Sequence, residues 1–417
     1  MRGLRIRSRC APNVALETDV SNVHPVFWVM AAAVLAPLLA ELRLGFKVPV
    51  VVFEVLLGIL IGPQLLALVS FEGFLKSMYL IGMAATLFMA GMELDFKHIR
   101  GTPLWLALRG WGASLLLAAA AAALLYATPL ARAPLMLTLA LCTTALGALL
   151  PLLRDAGQLN SNFGRLFLAA GTVGEVAPIV TMSLLLSQQY SSWQEFGFLL
   201  LLLALAAASI AAGMGLRPTP VVRLLSRTLH ASTQLPVRLA LLILTGFYVL
   251  SEEFGFESIL GAFVAGMVVG SATRDPAAQA LRHKIDAVAF GWFIPFFFVG
   301  TGVKFHLSAI TQSLTTALMV PAFLLVLLLV RGLPVWLYGK HLARHERMPF
   351  ALYSSVASLS LVVVITDIGV HTHSITTQVA AAMVAAAVLS VLIFPTLTGA
   401  LLAKSSAAAN RRLTSEP

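Results

Sequence analysis

Thirteen apolar runs, most of them near the length of a bilayer-spanning helix, leave this chain few ways to fold. They cover approximately 25–42, 48–69, 74–94, 103–127, 133–153, 164–188, 195–216, 236–254, 256–272, 287–303, 315–339, 348–369 and 375–402. Hydrocarbon offers no water to unpaired N–H and C=O groups, so each run must close its own hydrogen bonds as a helix. The expected fold class is an all-α polytopic membrane protein. The chain is 59% hydrophobic and 11% charged, whereas soluble domains carry about 25% charged residues. In a soluble protein a net charge of +10 would suggest nucleic acid. Here the cations sit in short connections between apolar runs, which excludes that partner and instead reports orientation. With the N-terminus outside, the inside connections collect Arg43, Lys47, Lys97, Arg100, Arg154, Arg165, Arg217, Arg282, Lys284 and Lys340 among others. The outside connections keep Lys76, Arg132 and Lys304, so the C-terminus is expected in the cytoplasm.

Three regions follow. Residues 1–22 are basic and then polar, with no apolar signal core, and read as a disordered extension. Residues 23–403 form the membrane domain, and 404–417 a cytoplasmic tail. Cys10 and Cys142 lie in such different settings that no disulfide framework or redox chemistry is expected.

The membrane domain repeats itself weakly, over about 25–188 and 236–402, with 195–216 linking the copies. "EVLLGILIG" from Glu54 matches the spacing of "ESILGAFVAG" from Glu257, and "LFMAGMELDF" (87–96) aligns without gaps on "FFFVGTGVKF" (296–305). An odd number of helices separates the partners, so the two copies run oppositely through the bilayer. Inverted repeats of this kind mark secondary transporters, whose sites lie near the midplane at interrupted helices. The fifth segment carries Thr143 and Thr144 at mid-span, and its partner, the twelfth, carries Ser354, Ser355, Ser358 and Ser360. Such hydroxyls satisfy backbone freed where a helix unwinds, and equally serve packing between membrane helices.

Glu175 is the only charged residue between Leu166 and Gln194. At 1.5 Å per residue from Gly164 it lies roughly 16 Å deep, near the midplane. Pro178 lacks the N–H that would bond the Gly174 carbonyl, so a free oxygen is expected beside the carboxylate. Oxygen ligands suit hard cations, and a carboxyl deprived of water can exchange a proton near neutral pH. Ionisable residues inside a membrane point to function. Arg331, well inside the eleventh segment, is the natural partner for Glu175, with snorkelling as its bland alternative. Arg109 fits snorkelling better. Glu54 and Glu93 fit packing or helix-end bonds as well as function, and His371 and His373 fit a solvated outer loop. No HExxH, GxSxG or GxxxxGK[ST] motif supports an enzyme.

"PVVVFEVLLGILIGP" (49–63), "LFMAGMELD" (87–95), "TTAL" (143–146), "GRLFLAAGTVGEVAP" (164–178), "ILGAFVAG" (259–266) and "IPFFFVGTG" (294–302) resemble the cation:proton antiporter-2 family, the Kef- and Nap-type exchangers. The resemblance implies a thirteen-helix sodium/proton antiporter fold with inverted repeats, a panel-like dimerisation domain, and an ion-binding core built on two crossed, unwound helices. It implies a homodimer with an elevator-like core movement. In that family an acidic pair on the sixth helix falls at Gly174 and Glu175; here the first position has no side chain and the second is a glutamate. One acid in place of two implies electroneutral exchange. The basic residue of the family's eleventh helix matches Arg331. Kef-type members carry a cytoplasmic nucleotide-binding domain; with only a short stretch after the last segment, gating through such a domain is not expected here.

The expected activity is exchange of a monovalent cation, Na⁺ or K⁺, for H⁺. Glu175 would alternate between the two ions, with Thr143, Thr144, the Gly174 carbonyl and Ser358 completing the shell. Arg331 would balance the charge, and no cofactor would be needed. A transport-inactive sensor or scaffold and a same-fold carrier of an organic anion are the alternatives.

Overall fold

The computed structural model describes residues 23–42, 48–94, 101–126, 134–147, 161–186, 231–273, 279–311 and 313–414, with isolated positions between them. The expected extension at 1–22 and most of the 195–216 segment lie outside the described residues. The principal elements are α1 (Val23–Ala40), α2 (Val50–Ile61), α3 (Gly73–Glu93), α4 (Thr102–Tyr126), α5 (Pro134–Leu141), α6 (Asn162–Leu186), α7 (Leu235–Glu253) and α8 (Ser258–Ala272). They continue with α9 (Gln279–Lys304), α10 (Leu314–Tyr338), α11 (Arg344–Ser354), α12 (Leu359–His371) and α13 (Thr377–Thr414). Among the described residues seven are long and apolar enough to cross a membrane: α3, α4, α6, α7, α9, α10 and α13. α11 and α12 form an eighth span bent by 41°, while α1, α2 and α8 are shorter apolar helices. Apolar side chains such as Phe27, Leu116, Leu124 and Trp336 point outward, as a surface solvated by lipid tails allows.

Three boundaries differ from the apolar runs. α2 stops at Ile61 instead of continuing to 69, because Pro63 has no N–H to extend the ladder. The chain folds back there, with the Ala67 and Leu68 N–H groups donating to the Gly62 and Ile61 carbonyls at 2.9 and 3.0 Å. α9 starts at Gln279, well before 287. Its first turns, "QALRHKIDAV", are amphipathic with only Ile285 buried, so hydropathy alone misses them. α13 continues beyond 403 into the expected tail, to Thr414.

The helices pack as two groups. α3 lies along α8 and α9, α2 along α1 and α9, and α7 along α8. α4 packs on α5, α6 and α10, while α13 packs on α10, α11 and α12. Contacts between the groups are sparse and run through α6 with α8 and α3 with α12. Within the first group glycines let backbones touch. A Cβ on Gly58 would strike the Val299 carbonyl, one on Gly302 the Val55 carbonyl, one on Gly91 the Phe263 carbonyl, and one on Gly266 the Phe88 carbonyl. Small residues are how membrane helices approach closely enough to gain dispersion energy where lipid removes the hydrophobic drive.

Candidate functional site

Both hydroxyl-bearing segments are interrupted. α5 ends at Leu141, Thr143 to Ala145 are non-helical, and helix resumes at Leu146. α11 ends at Ser354, and α12 begins only at Leu359. The two breaks meet, with the Ala145 N–H donating to the Val356 carbonyl at 2.9 Å. The Thr144 hydroxyl donates to the Ser354 carbonyl at 2.9 Å. The Ala357 N–H donates to Ser390 Oγ at 3.0 Å, and the Thr143 hydroxyl donates to the Ala140 carbonyl at 3.0 Å. Backbone groups freed by unwinding thus find partners inside the protein, the condition for irregular chain at membrane depth.

α6 runs against this crossing. Pro178 lies inside the helix, and the Gly174 carbonyl it releases accepts the Thr144 N–H at 3.1 Å. The oxygen expected to be free is therefore what fastens α6 to the first break. Glu175, one residue on, is buried, and its Oε2 is shielded from solvent without a hydrogen-bond partner.

Arg331 is buried in a π-type turn of α10. Its guanidinium donates to Thr144 Oγ1 from Nε at 2.9 Å and from Nη2 at 2.6 Å, and to Ser114 Oγ from Nη1 at 3.1 Å. It makes no ion pair with a carboxylate among the described residues, so the expected Arg331–Glu175 pair is not formed here. Snorkelling does not describe Arg331 either. A Cβ on Gly174 would lie 2.6 Å from Nη2, so the guanidinium occupies the space beside the glycine. The Thr144 oxygen accepts from Arg331 and donates to Ser354, which leaves little capacity for an ion. Ser358 is buried at the start of α12, its carbonyl accepting the Val362 N–H at 2.9 Å.

Glu93, the last residue of α3, joins the site from the other helix group. Its Oε2 lies against Gly147, where a Cβ would meet it at 2.6 Å, and it is within electrostatic reach of Glu175, Arg282 and Asp286. Asp286 Oδ1 is itself shielded and without a partner. Sequence reasoning left Glu93 undecided. The available signal was that it stands where the aligned repeat has Gly302. Glu54 is buried on α2, which packs mainly on α1 and α9. Arg109 is exposed and covers the Trp105 ring at 4.8 Å, as snorkelling predicts. His371 is exposed, its Nε2 3.7 Å from Asp367 Oδ1. No cluster of metal-ligating side chains occurs among the described residues.

Two crossed breaks with a buried carboxylate beside them form a recognisable ion-handling arrangement. The family model for the transmembrane domain of sodium/hydrogen exchangers matches residues 30–404. The chain belongs to the sodium/hydrogen exchanger family. Family relatives include YjbQ of Bacillus subtilis, named for Na⁺/H⁺ antiport, 28% identical over 394 residues, covering 90% of this chain and 62% of that protein. GerN of Bacillus cereus, a Na⁺/H⁺-K⁺ antiporter, is 24% identical over 292 residues, covering 69% of this chain and 74% of that one. The glutathione-regulated potassium-efflux protein KefC of Klebsiella pneumoniae is 28% identical over 390 residues, covering 89% of this chain and 60% of that one. The chain thus spans about three fifths of the length of YjbQ and of KefC. The sodium proton antiporter NhaP1 of Methanocaldococcus jannaschii has the same fold, with a TM-score of 0.61 at 18% identity over 92% of this chain and 99% of that one. The exchanger family is one of multi-pass membrane transporters, and the helices of this chain fit that class.

Proposed function

We propose that this chain exchanges a monovalent cation, Na⁺ or K⁺, for H⁺ across the membrane, with Glu175 holding each in turn. The observation that carries this is Glu175 Oε2, buried without a partner beside two crossed helix breaks. A buried acid with an unused oxygen is expensive unless it binds something. Proton and cation compete for that oxygen, and the competition couples their movements. The relatives named for Na⁺/H⁺ and K⁺ transport support the same reading.

The site is assigned as follows. Glu175 binds, and Thr143 and Ser358 lie at the two breaks as further oxygen ligands. Thr144 is bonded both to the Gly174 carbonyl and to Arg331, which supports a positioning part for Thr144 and Gly174 over direct ligation. Glu93 approaches from α3, in the other helix group. If the group bearing α6 moves as a body, Glu175 travels and Glu93 stays, so one carboxylate carries one proton or one cation and exchange is electroneutral. The cycle uses its ions as substrates and needs no cofactor. The proposal is completed by a cytoplasmic C-terminus, on the positive-inside pattern, and by a homodimer, as the family resemblance implies. Proteoliposomes with Na⁺, K⁺ or Li⁺ under an imposed pH gradient test it. Cation-dependent dissipation of the gradient is expected, and its absence with every cation at every pH would favour a transport-inactive scaffold.

A further inference from the structure

We propose that Arg331 holds a small monovalent anion of halide size, chloride where chloride is available, as a structural counter-ion. A cavity of ≈ 10 Å³ adjoins the guanidinium, lined by Arg331 together with Ser114, Ser354, Trp111, Tyr338 and Ala170. That is room for about one water molecule or one monatomic ion, and too little for an organic carboxylate. Three features give the cavity its preference for negative charge. Arg331 has five N–H donors, of which those on Nε, Nη1 and Nη2 already named reach hydroxyl oxygens, so donors remain on both terminal nitrogens. Trp111 Nε1, a group that can only donate, is shielded without a partner. Ser354 Oγ, on a residue 3% exposed, is likewise without one.

The charge argument points the same way. A buried guanidinium surrounded by neutral hydroxyls is poorly compensated. The C-terminal ends of α5 and α11 finish near it but supply only partial negative charge. Gly174, where a Cβ would lie 2.6 Å from Arg331 Nη2, has no side chain to supply more, and Ala170, one turn earlier on α6, has only a methyl group. Glu175 leaves the helix in a different direction, since successive residues are rotated by about 100°. A monatomic anion would accept from the spare Arg331 donor, the Trp111 indole and the Ser354 hydroxyl at once, each bond strengthened by the low local dielectric.

The inference does not depend on cation exchange, and its test reads binding directly. In crystals of the whole protein grown in bromide, an anomalous peak is expected within hydrogen-bonding distance of Arg331 and Trp111 Nε1. In solution, replacing gluconate with chloride at constant ionic strength should raise Tm saturably, by roughly 2 °C or more. Ala170→Glu, which brings a carboxylate to the cavity wall, should abolish both effects. Density in the cavity with no anomalous signal, together with equal Tm in chloride and gluconate, would mean a water molecule sits there and would overturn the proposal. The wild-type measurements decide the matter even if Ala170→Glu fails to fold.

Discussion

Lys304 Nζ lies 2.6 Å from Asp367 Oδ1 and joins the end of α9 to α12, and so one helix group to the other. The ammonium also faces the rings of Phe71 and Tyr79 at 4.9 and 5.0 Å, at the edge of a cavity of ≈ 260 Å³. Both side chains are about a quarter exposed, at 27% and 25%, so water screens the pair only in part. A double-mutant cycle of Lys304→Met and Asp367→Asn should give a coupling of about 1 kcal/mol in thermal unfolding. Additive effects would show that the pair contributes nothing to holding the groups together.

Glu175→Gln should abolish cation-dependent proton flux while leaving Tm within a few degrees of the wild type. The amide fills the same volume and cannot exchange a proton. Glu175→Asp should retain part of the flux with an altered pH profile, because the shorter arm withdraws the oxygens from the crossing. Full flux in the glutamine variant would remove Glu175 from the mechanism.

Glu93→Gln should raise the KM for the transported cation about tenfold, which corresponds to about 1.4 kcal/mol of lost attraction, with little change in folding. Its carboxylate approaches Glu175 from the opposite helix group, so removing the charge weakens cation binding without removing the exchanging group. An unchanged KM would confine Glu93 to packing against Gly147.

The unmutated protein in proteoliposomes should show a reversal condition that ignores membrane potential, although about 100 mV would be worth roughly 2.3 kcal/mol per net charge moved. Gly174→Asp should also stay voltage-insensitive. Its Cβ would come within 2.6 Å of Arg331 Nη2 and 2.8 Å of Thr144 Oγ1, so the new carboxylate would pair with the guanidinium instead of carrying a second proton. A reversal point that moves with potential in the variant alone would show that residue 174 can carry charge despite Arg331.

Gly266→Ala should destabilise the protein by about 1–3 kcal/mol, the usual cost of overpacking. The added methyl would meet the Phe88 carbonyl where α3 and α8 touch. Gly112→Ala on α4, where a Cβ meets nothing nearby, is the control and should leave Tm unchanged or slightly raised. Equal Tm for the two variants would mean that the α3–α8 crossing can relax.

Apolar run length alone determined the helical class and most spans of this chain, because a bilayer demands a fixed length and forbids unpaired backbone. Local chemistry determined more. The hydroxyls at Thr143, Thr144, Ser354, Ser355 and Ser358 allowed for both breaks as readily as for packing, Pro178 pointed to the released Gly174 carbonyl, and the solitary charge made Glu175 a candidate. What the tertiary structure alone decided was which partner each group met. Arg331 went to Thr144, 187 residues away in sequence, and to Ser114, and not to the single acid that charge complementarity nominated. Neighbouring positions on α6 point in directions about 100° apart, so Gly174 faces the guanidinium while Glu175 turns toward Glu93. Lys304 met Asp367 for a similar reason: the fold brings the end of α9 to α12, and no local pattern in either helix encodes that meeting. Hydropathy and spacing are properties of one helix, whereas a buried charge finds its partner through the rotation and depth of two.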